Sequence, residues 1–245
     1  MFDFYFYIVK TDITDITSIT DIFRKRRVLQ SMTELYNRDD AEDTRISNLK
    51  LQGINWIEKI LLKDLTCTKP GSISHLLYGE KPSEQSINIK LGRFGEFIAK
   101  ELIKSNDMFE LLDCGVQMIN NKMKDVDLIF MDKIRKIIYY RELKGNIELD
   151  TEKIPATIAK CNDITMFLAN KYEGYNINCA ILNWSIYDRQ QLSAGLSNIK
   201  TFEKAGLRIE HMGDFLAIVG ATWHKGDYYA YFRMIGTKII TRFVK

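Results

Sequence analysis

The chain has 245 residues, of which 46% are hydrophobic and 27% are charged, and its formal net charge is +3. This balance is typical of a globular protein, and the length favours one large domain over residues 1–245. No run of about 18 apolar residues occurs, so we expect no membrane-spanning helix. The small net charge permits nucleic-acid binding without requiring it.

The cysteines and histidines do not form a pattern typical of a zinc site. Four cysteines lie far apart without a Cys-x-x-Cys pair, and the three histidines are near none of them. The apolar start Met1–Val9 contains Asp3 and has no basic segment before it, so we expect no secretory signal. Reduced cysteines in a cytoplasmic protein are the simplest interpretation.

Residues 1–65 are predicted to be mainly helical. Isoleucines recur at every third position from Ile13 to Ile22, which indicates one side of a helix or a short repeat. The basic cluster Arg24–Arg27 follows, either as a solvated surface or as a contact for a phosphate backbone. A second helical pattern runs from Ile46 to Leu65.

The segment Thr66–Lys90 holds two of the three prolines together with two glycines and several serines, and we predict a long irregular loop. Loops of this length in a compact domain are often functional. Lys81, Gln85 and Lys90 could donate hydrogen bonds to bases or phosphates. The loop is therefore either a DNA-facing element or an ordinary surface connection.

Helical spacing resumes at Leu91 and runs to about Ser105, with Arg93 and Glu96 among its polar positions. Three strand patterns in succession then predict an antiparallel meander; they are Phe109–Ile119, Val126–Phe130 and Ile137–Leu143.

The second half alternates between helix and strand patterns, which favours an α/β fold. We predict a helix from Glu152 to Tyr172 with Pro155 in its first turn, a buried strand over Ile177–Trp184, and a helix leading to a strand near Leu207–Ile209. The aromatic stretch Lys225–Phe243 fits either helix or strand, and its aromatic side chains suit a core or a dimer interface.

The most informative segment joins a strand that starts near Asp127 to a strand that ends in Glu142, Leu143 and Lys144. In a hairpin of these strands, Asp127 would lie beside Glu142 and Lys144. Strand alternation places Glu142 and Lys144 on one side, with Leu143 towards the core. Two neighbouring carboxylates repel, and a hard divalent cation such as Mg²⁺ relieves that repulsion. Mg²⁺ together with Lys144 could activate water for phosphodiester hydrolysis.

Two alternatives remain open for this segment. Asp125 competes with Asp127, since they lie two residues apart on one predicted strand face; Asp127 is preferred because Leu128, Ile129 and Phe130 follow it directly. Glu142 and Lys144 could also be an ordinary ion pair on a sheet surface, in which case the protein would be a non-catalytic DNA-binding or structural protein.

The stretch from Lys90 to about Lys160 resembles the PD-(D/E)XK nuclease superfamily. A helix carrying Glu96 precedes Asp127 at the start of one strand and the Glu-x-Lys pattern at the end of the next, although Val126 stands where the motif has proline. The resemblance implies that Asp127 and Glu142 bind Mg²⁺, that Lys144 is the catalytic lysine, and that Glu96 is an auxiliary acid. It also implies a restriction-endonuclease-like α/β core over 90–184, with a central mixed sheet flanked by helices.

The segment Gly145–Lys153 resembles stretches of type II restriction endonucleases. This resemblance implies a homodimer that cuts double-stranded DNA at a short sequence. Residues 66–90 and 185–245 would supply recognition and dimer contacts. The residues expected to bind DNA are Asn146, Arg93, Lys90, Lys81 and Gln85. A repair or recombination nuclease of the same fold is the alternative enzyme.

Overall fold

The computed structural model describes residues 43–61, 66–147, 151–192 and 196–243. The predicted Ile13–Ile22 helix and the basic cluster Arg24–Arg27 lie outside these residues. The described residues belong to a single unit of chain contacts.

Helices and strands alternate through most of the described chain. The helices are α1 (Thr44–Trp56, continued by a π-helical turn, Ile57–Leu61), α2 (Ile73–Tyr78), α3 (Glu84–Lys104), α4 (Ile154–Lys171), α5 (Leu196–Lys204), α6 (Met212–Val219) and α7 (Lys225–Phe243). The strands are β1 (Phe109–Leu111), β2 (Gly115–Ile119), β3 (Lys122–Val126), β4 (Leu128–Asp132), β5 (Ile137–Lys144), β6 (Asn176–Asn183) and β7 (Arg208–His211).

The main sheet has the strand order β1-β4-β5-β6-β7. β1, β4 and β5 pair antiparallel, whereas β5, β6 and β7 pair parallel. Each parallel connection contains a helix, as a crossover between parallel strands requires: α4 joins β5 to β6, and α5 joins β6 to β7. The predicted α/β fold with a mixed central sheet flanked by helices is therefore confirmed.

Helices cover both faces of the sheet because its strand residues alternate between two apolar clusters. Leu128, Phe130 and Leu182 belong to a cluster that includes side chains of α1, α3, α6 and α7. Ile129 and Ile181 belong to a second cluster, which includes side chains of α4 and α5. Strand residues on the same side of the sheet as Ile129, which on β5 are the even-numbered ones, thus face α4.

β2 and β3 form a separate two-stranded hairpin. Its turn contains Asn120 and Asn121, both in the left-handed region with φ of 51° and 61°, as a type I′ turn requires. The hairpin is attached to α4 by an ion pair of 2.5 Å between Lys124 Nζ and Asp163 Oδ2. It leads directly into Asp127.

The predicted boundaries of two segments were wrong. Thr66–Lys90 is not one irregular loop: it contains α2, which Ser72 caps at its start and Gly79 ends, and α3 begins at Glu84 rather than at Leu91. Phe109–Ile119 is not one strand, because β1 belongs to the main sheet and β2 to the hairpin.

The C-terminal stretch is the helix α7, and its buried aromatic residues Tyr228 and Tyr231 pack into the first apolar cluster. The predicted helix near 152–172 and the strands near 177–184 and 207–209 are confirmed as α4, β6 and β7. In the described part of the chain, no helix combines the length and apolarity needed to cross a bilayer.

Candidate active site

Asp127 lies between β3 and β4, where the hairpin passes into the main sheet. The next residue, Leu128, is aligned with Arg141 of β5, so Asp127 lies beside the end of β5. Its Oδ2 accepts a hydrogen bond of 2.8 Å from the backbone N–H of Leu143. The predicted approach of Asp127 to Glu142 therefore follows from the antiparallel register.

Glu142 is a buried carboxylate near the end of β5, with 4% of its surface exposed. Its Oε2 accepts a hydrogen bond of 2.8 Å from the hydroxyl of Tyr140, two residues earlier on the same side of the strand. Lys144 Nζ lies 3.7 Å from Glu142 Oε1. The predicted pairing of Glu142 with Lys144 on one side of β5 is thus present.

A second lysine, Lys160 of α4, joins the two carboxylates. Its Nζ lies 2.5 Å from Glu142 Oε2 and 3.3 Å from Asp127 Oδ1. α4 packs on the sheet through a buried stripe that includes Cys161. Lys160 is adjacent to this stripe, so its long side chain reaches the ends of β4 and β5.

The electrostatics of the site reflect two negative groups held together in a largely buried place. Burial, followed by the negative charge of Glu142, raises the pKa of Asp127 to about 7 against the opposing effects of Lys160 and the Leu143 N–H. Burial acts to lower the pKa of Lys160, but the charges of Glu142 and Asp127 outweigh burial and raise it. Lys160 is therefore a stable cation at neutral pH.

Tyr140 stays a hydrogen-bond donor to Glu142. Burial, followed by the negative charge of Glu142, raises the pKa of the Tyr140 phenol far above its ordinary value. Because the phenol remains protonated, it fixes one oxygen of Glu142 and leaves the other directed towards Lys144.

Glu96 and Asp125 are peripheral to this site. Glu96 lies on α3, across the sheet from α4, and its carboxylate accepts a hydrogen bond of 3.0 Å from Lys100 Nζ. Its charge is still near enough to help raise the pKa of Asp127. Asp125 is exposed on β3, opposite Val116 in the hairpin. The expectation that Asp125 and Asp127 share one strand face was wrong, since β3 ends between them.

The residues predicted to bind DNA lie on α3, just before α3 and just after β5. Gln85 and Arg93 are exposed on α3, and Lys90 is partly buried there. Lys81 precedes α3 and places its Nζ 4.0 Å from the centre of the Tyr78 ring. Asn146 is exposed just after β5. Lys81, Gln85, Arg93 and Asn146 form no hydrogen bond or ion pair with Asp127 or Glu142 within the described part of the chain.

Lys160 and Tyr140 were not identified from the sequence. Tyr140 has the same strand parity as Glu142 and Lys144, so alternation carried a signal for it. Lys160 had no such signal, because it is 16 residues after Lys144 on a helix whose rotation about its axis depends on packing.

The two carboxylates suit a hard divalent cation. They already converge on one positive group, Lys160, and their oxygen atoms are the ligand type that Mg²⁺ prefers. Within residues 43–61, 66–147, 151–192 and 196–243, no cluster of three or more His, Cys, Asp or Glu side chains is arranged to hold a metal ion. Two carboxylates are nevertheless sufficient for Mg²⁺, which commonly keeps several waters and uses one or two carboxylates with substrate phosphates.

Comparison with known proteins gave no assignment: the sequence matches no protein-family model and has no significant match among curated proteins.

Proposed function

We propose that this protein is a Mg²⁺-dependent endonuclease of the PD-(D/E)XK type that hydrolyses phosphodiester bonds in double-stranded DNA. The observation that carries the proposal is the convergence of Asp127, Glu142 and Lys144 at the junction of β4 and β5. Glu142 and Lys144 are 3.7 Å apart, and Asp127 is fixed to the same strand by the Leu143 N–H. The arrangement matches the site that the resemblance implies.

Asp127 and Glu142 would hold the cation, and Tyr140 would orient Glu142 for that purpose. Mg²⁺ bound there supplies charge neutralisation at the scissile phosphate and a lower pKa for the attacking water. Lys144 carries a positive charge beside Glu142, where it can orient the attacking water and stabilise the developing negative charge on the phosphate. Glu96, which acts on the site through its charge, is an auxiliary residue.

Within this class we propose a type II restriction endonuclease acting as a homodimer in the cytoplasm. Cleavage of both strands at a palindromic sequence needs two copies of the site related by two-fold symmetry. Exposed donors on and near α3, which also carries Glu96, support DNA contact along this helix. They include Gln85 and Arg93.

Digestion of a plasmid of known sequence with MgCl₂, with and without a chelator, tests the class. Discrete fragments that disappear with chelator support a restriction enzyme, whereas structure-dependent nicking supports a repair or recombination nuclease. Unchanged plasmid under all metal conditions contradicts a nuclease and favours the alternative in which Glu142 and Lys144 only form an ion pair.

Substitutions at the site test the assigned roles. Asp127→Ala should abolish cleavage while leaving DNA binding within about twofold, because a lost metal ligand disables hydrolysis and leaves contacts of α3 intact. Lys144→Ala should lower the cleavage rate by about 10²–10⁴. Asp125→Ala, which removes an exposed carboxylate two residues from Asp127, is the matched control and should cleave normally. Cleavage by Asp127→Ala at the rate of the unmodified protein, or a loss of DNA binding that accounts for the lost cleavage, would contradict the assignment.

A further inference from the structure

The ammonium group of Lys160 lies where the two carboxylates of the site meet. It is 2.5 Å from Glu142 Oε2 and 3.3 Å from Asp127 Oδ1. Lys144, by comparison, is 3.7 Å from the other oxygen of Glu142. Lys160 is therefore the cation that is shared between Asp127 and Glu142.

A divalent cation that uses the same two carboxylates cannot share their facing oxygens with an ammonium group at hydrogen-bond distance. Mg²⁺ and the Lys160 ammonium group would repel each other strongly if both lay at the same carboxylate oxygens. Binding of Mg²⁺ must therefore be accompanied by movement of the Lys160 side chain.

The position of Lys160 on α4 permits this movement. About a fifth of its side chain, 22%, is exposed, and the lysine stem is long and flexible. The ammonium group can swing from the carboxylates towards solvent without unfolding α4, whose packing depends on other residues.

We infer that Lys160 is an internal counter-ion that holds the metal-free site together and competes with the divalent cation for Asp127 and Glu142. This inference rests on the proposed Mg²⁺ site and adds that Lys160 regulates how tightly the site binds the metal. While the metal is absent, Lys160 reduces the repulsion between the two carboxylates. When the metal binds, the displaced ammonium group becomes available to an anionic group such as a DNA phosphate. The site thus exchanges one cation for another and is never left with two unpaired carboxylates.

The test is calorimetric titration with MgCl₂ alone, without DNA, at pH 8.5. At this pH Asp127, with its pKa raised to about 7, is ionised. Lys160→Met keeps the length of the side chain and removes the competing charge. Lys171→Met is the matched control, since it makes the same change on the exposed end of the same helix, where Lys171 lies over Phe167 and Tyr172. Asp127→Asn removes a ligand.

Lys160→Met should bind Mg²⁺ at least roughly tenfold more tightly than the unmodified protein, equivalent to about 1.4 kcal/mol. Lys171→Met should resemble the unmodified protein, and Asp127→Asn should lose the binding. Equal or weaker binding by Lys160→Met, with binding by the unmodified protein intact, overturns the competition and leaves the proposed metal site standing. Binding of Mg²⁺ by neither protein overturns the competition in the DNA-free protein, whereas the chelator arm of the plasmid digestion decides separately on the proposed metal site.

A measurement on the unmodified protein covers the case in which Lys160→Met does not fold. The ¹⁵N signal of the Lys160 side-chain ammonium can be assigned by its absence in Lys160→Arg. Saturating MgCl₂ should shift or broaden that signal, because the ammonium leaves the carboxylates. A signal that stays unchanged while Mg²⁺ is bound overturns the inference.

Discussion

Replacement of Asp127 by asparagine should stabilise the protein at alkaline pH. Asp127 is ionised there in a largely buried place, with 15% of its side chain exposed, and its pKa is raised from 3.8 to about 7. A pKa raised this far corresponds to a cost of about 4 kcal/mol for the ionised form in the folded protein. Local relaxation and water penetration reduce such costs. We therefore expect Asp127→Asn to increase the free energy of unfolding by about 2 kcal/mol at pH 8.

The sign of this effect fixes its pH dependence. A carboxyl group with a raised pKa in the folded state binds its proton more tightly there than in the unfolded chain. Its stabilising contribution is complete below pH 3.8 and is lost as the pH rises through about 7. Asparagine does not titrate, so Asp127→Asn does not lose stability in this way as the pH rises. Its free energy of unfolding should exceed that of the unmodified protein by a margin that grows between about pH 4 and pH 7 and is small below pH 4.

Urea unfolding at a series of pH values without divalent cations measures the gain. Asp125→Asn is the control, because Asp125 is exposed on β3 and its replacement should change stability by less than about 0.5 kcal/mol at any pH. A gain that does not vary with pH, or a loss of stability at pH 8, would refute the reasoning about the buried pair.

Two further predictions concern the framework of the site and use the same unfolding assay. Arg141→Met should destabilise the protein by about 3 kcal/mol, since buried Glu210 loses the guanidinium that lies 2.5 Å from it and keeps only the exposed Arg208 as a cationic partner; a cost below about 1 kcal/mol would contradict this. Gly95→Ala should cost about 1–3 kcal/mol, because the added carbon would lie 2.4 Å from the Trp184 ring. Gly92→Ala, on the same helix and with open space around it, should instead gain about 0.5–1 kcal/mol; equal effects at the two glycines would argue against the close approach of Trp184.

The parts of the site that could be predicted from the sequence depend on local geometry. Glu142 and Lys144 share a side of β5 because a strand repeats every two residues, and Asp127 reaches them because β4 and β5 are neighbours in the chain. Lys160 could not be predicted in this way. Its position depends on the crossover from β5 to β6 and on which side of α4 packs against the sheet.

The two segments whose boundaries were wrongly predicted contain turn and capping residues that mark the observed boundaries. The stretch Phe109–Ile119, predicted as one strand, is divided at residues 112–114, and Gly115, which starts β2, has a φ of 91° that favours glycine. Ser72 and Ser83 precede α2 and α3 as capping residues, within the segment predicted to be irregular. Within that segment Gly79 ends α2, and Pro82 lies directly before the residue that caps α3.

The buried pair of Arg141 and Glu210 has a consequence for the alignment of the sheet. These residues lie on β5 and β7, on either side of β6, and Arg141 also donates hydrogen bonds to Asn178 of β6. A slip of β7 by one residue would turn Glu210 to the opposite face of the sheet and leave the Arg141 charge buried without its partner. Misaligned forms of the three parallel strands are therefore penalised by an unpaired charge. Because Glu142 follows Arg141 directly, the same penalty selects the alignment in which Glu142 faces Lys160.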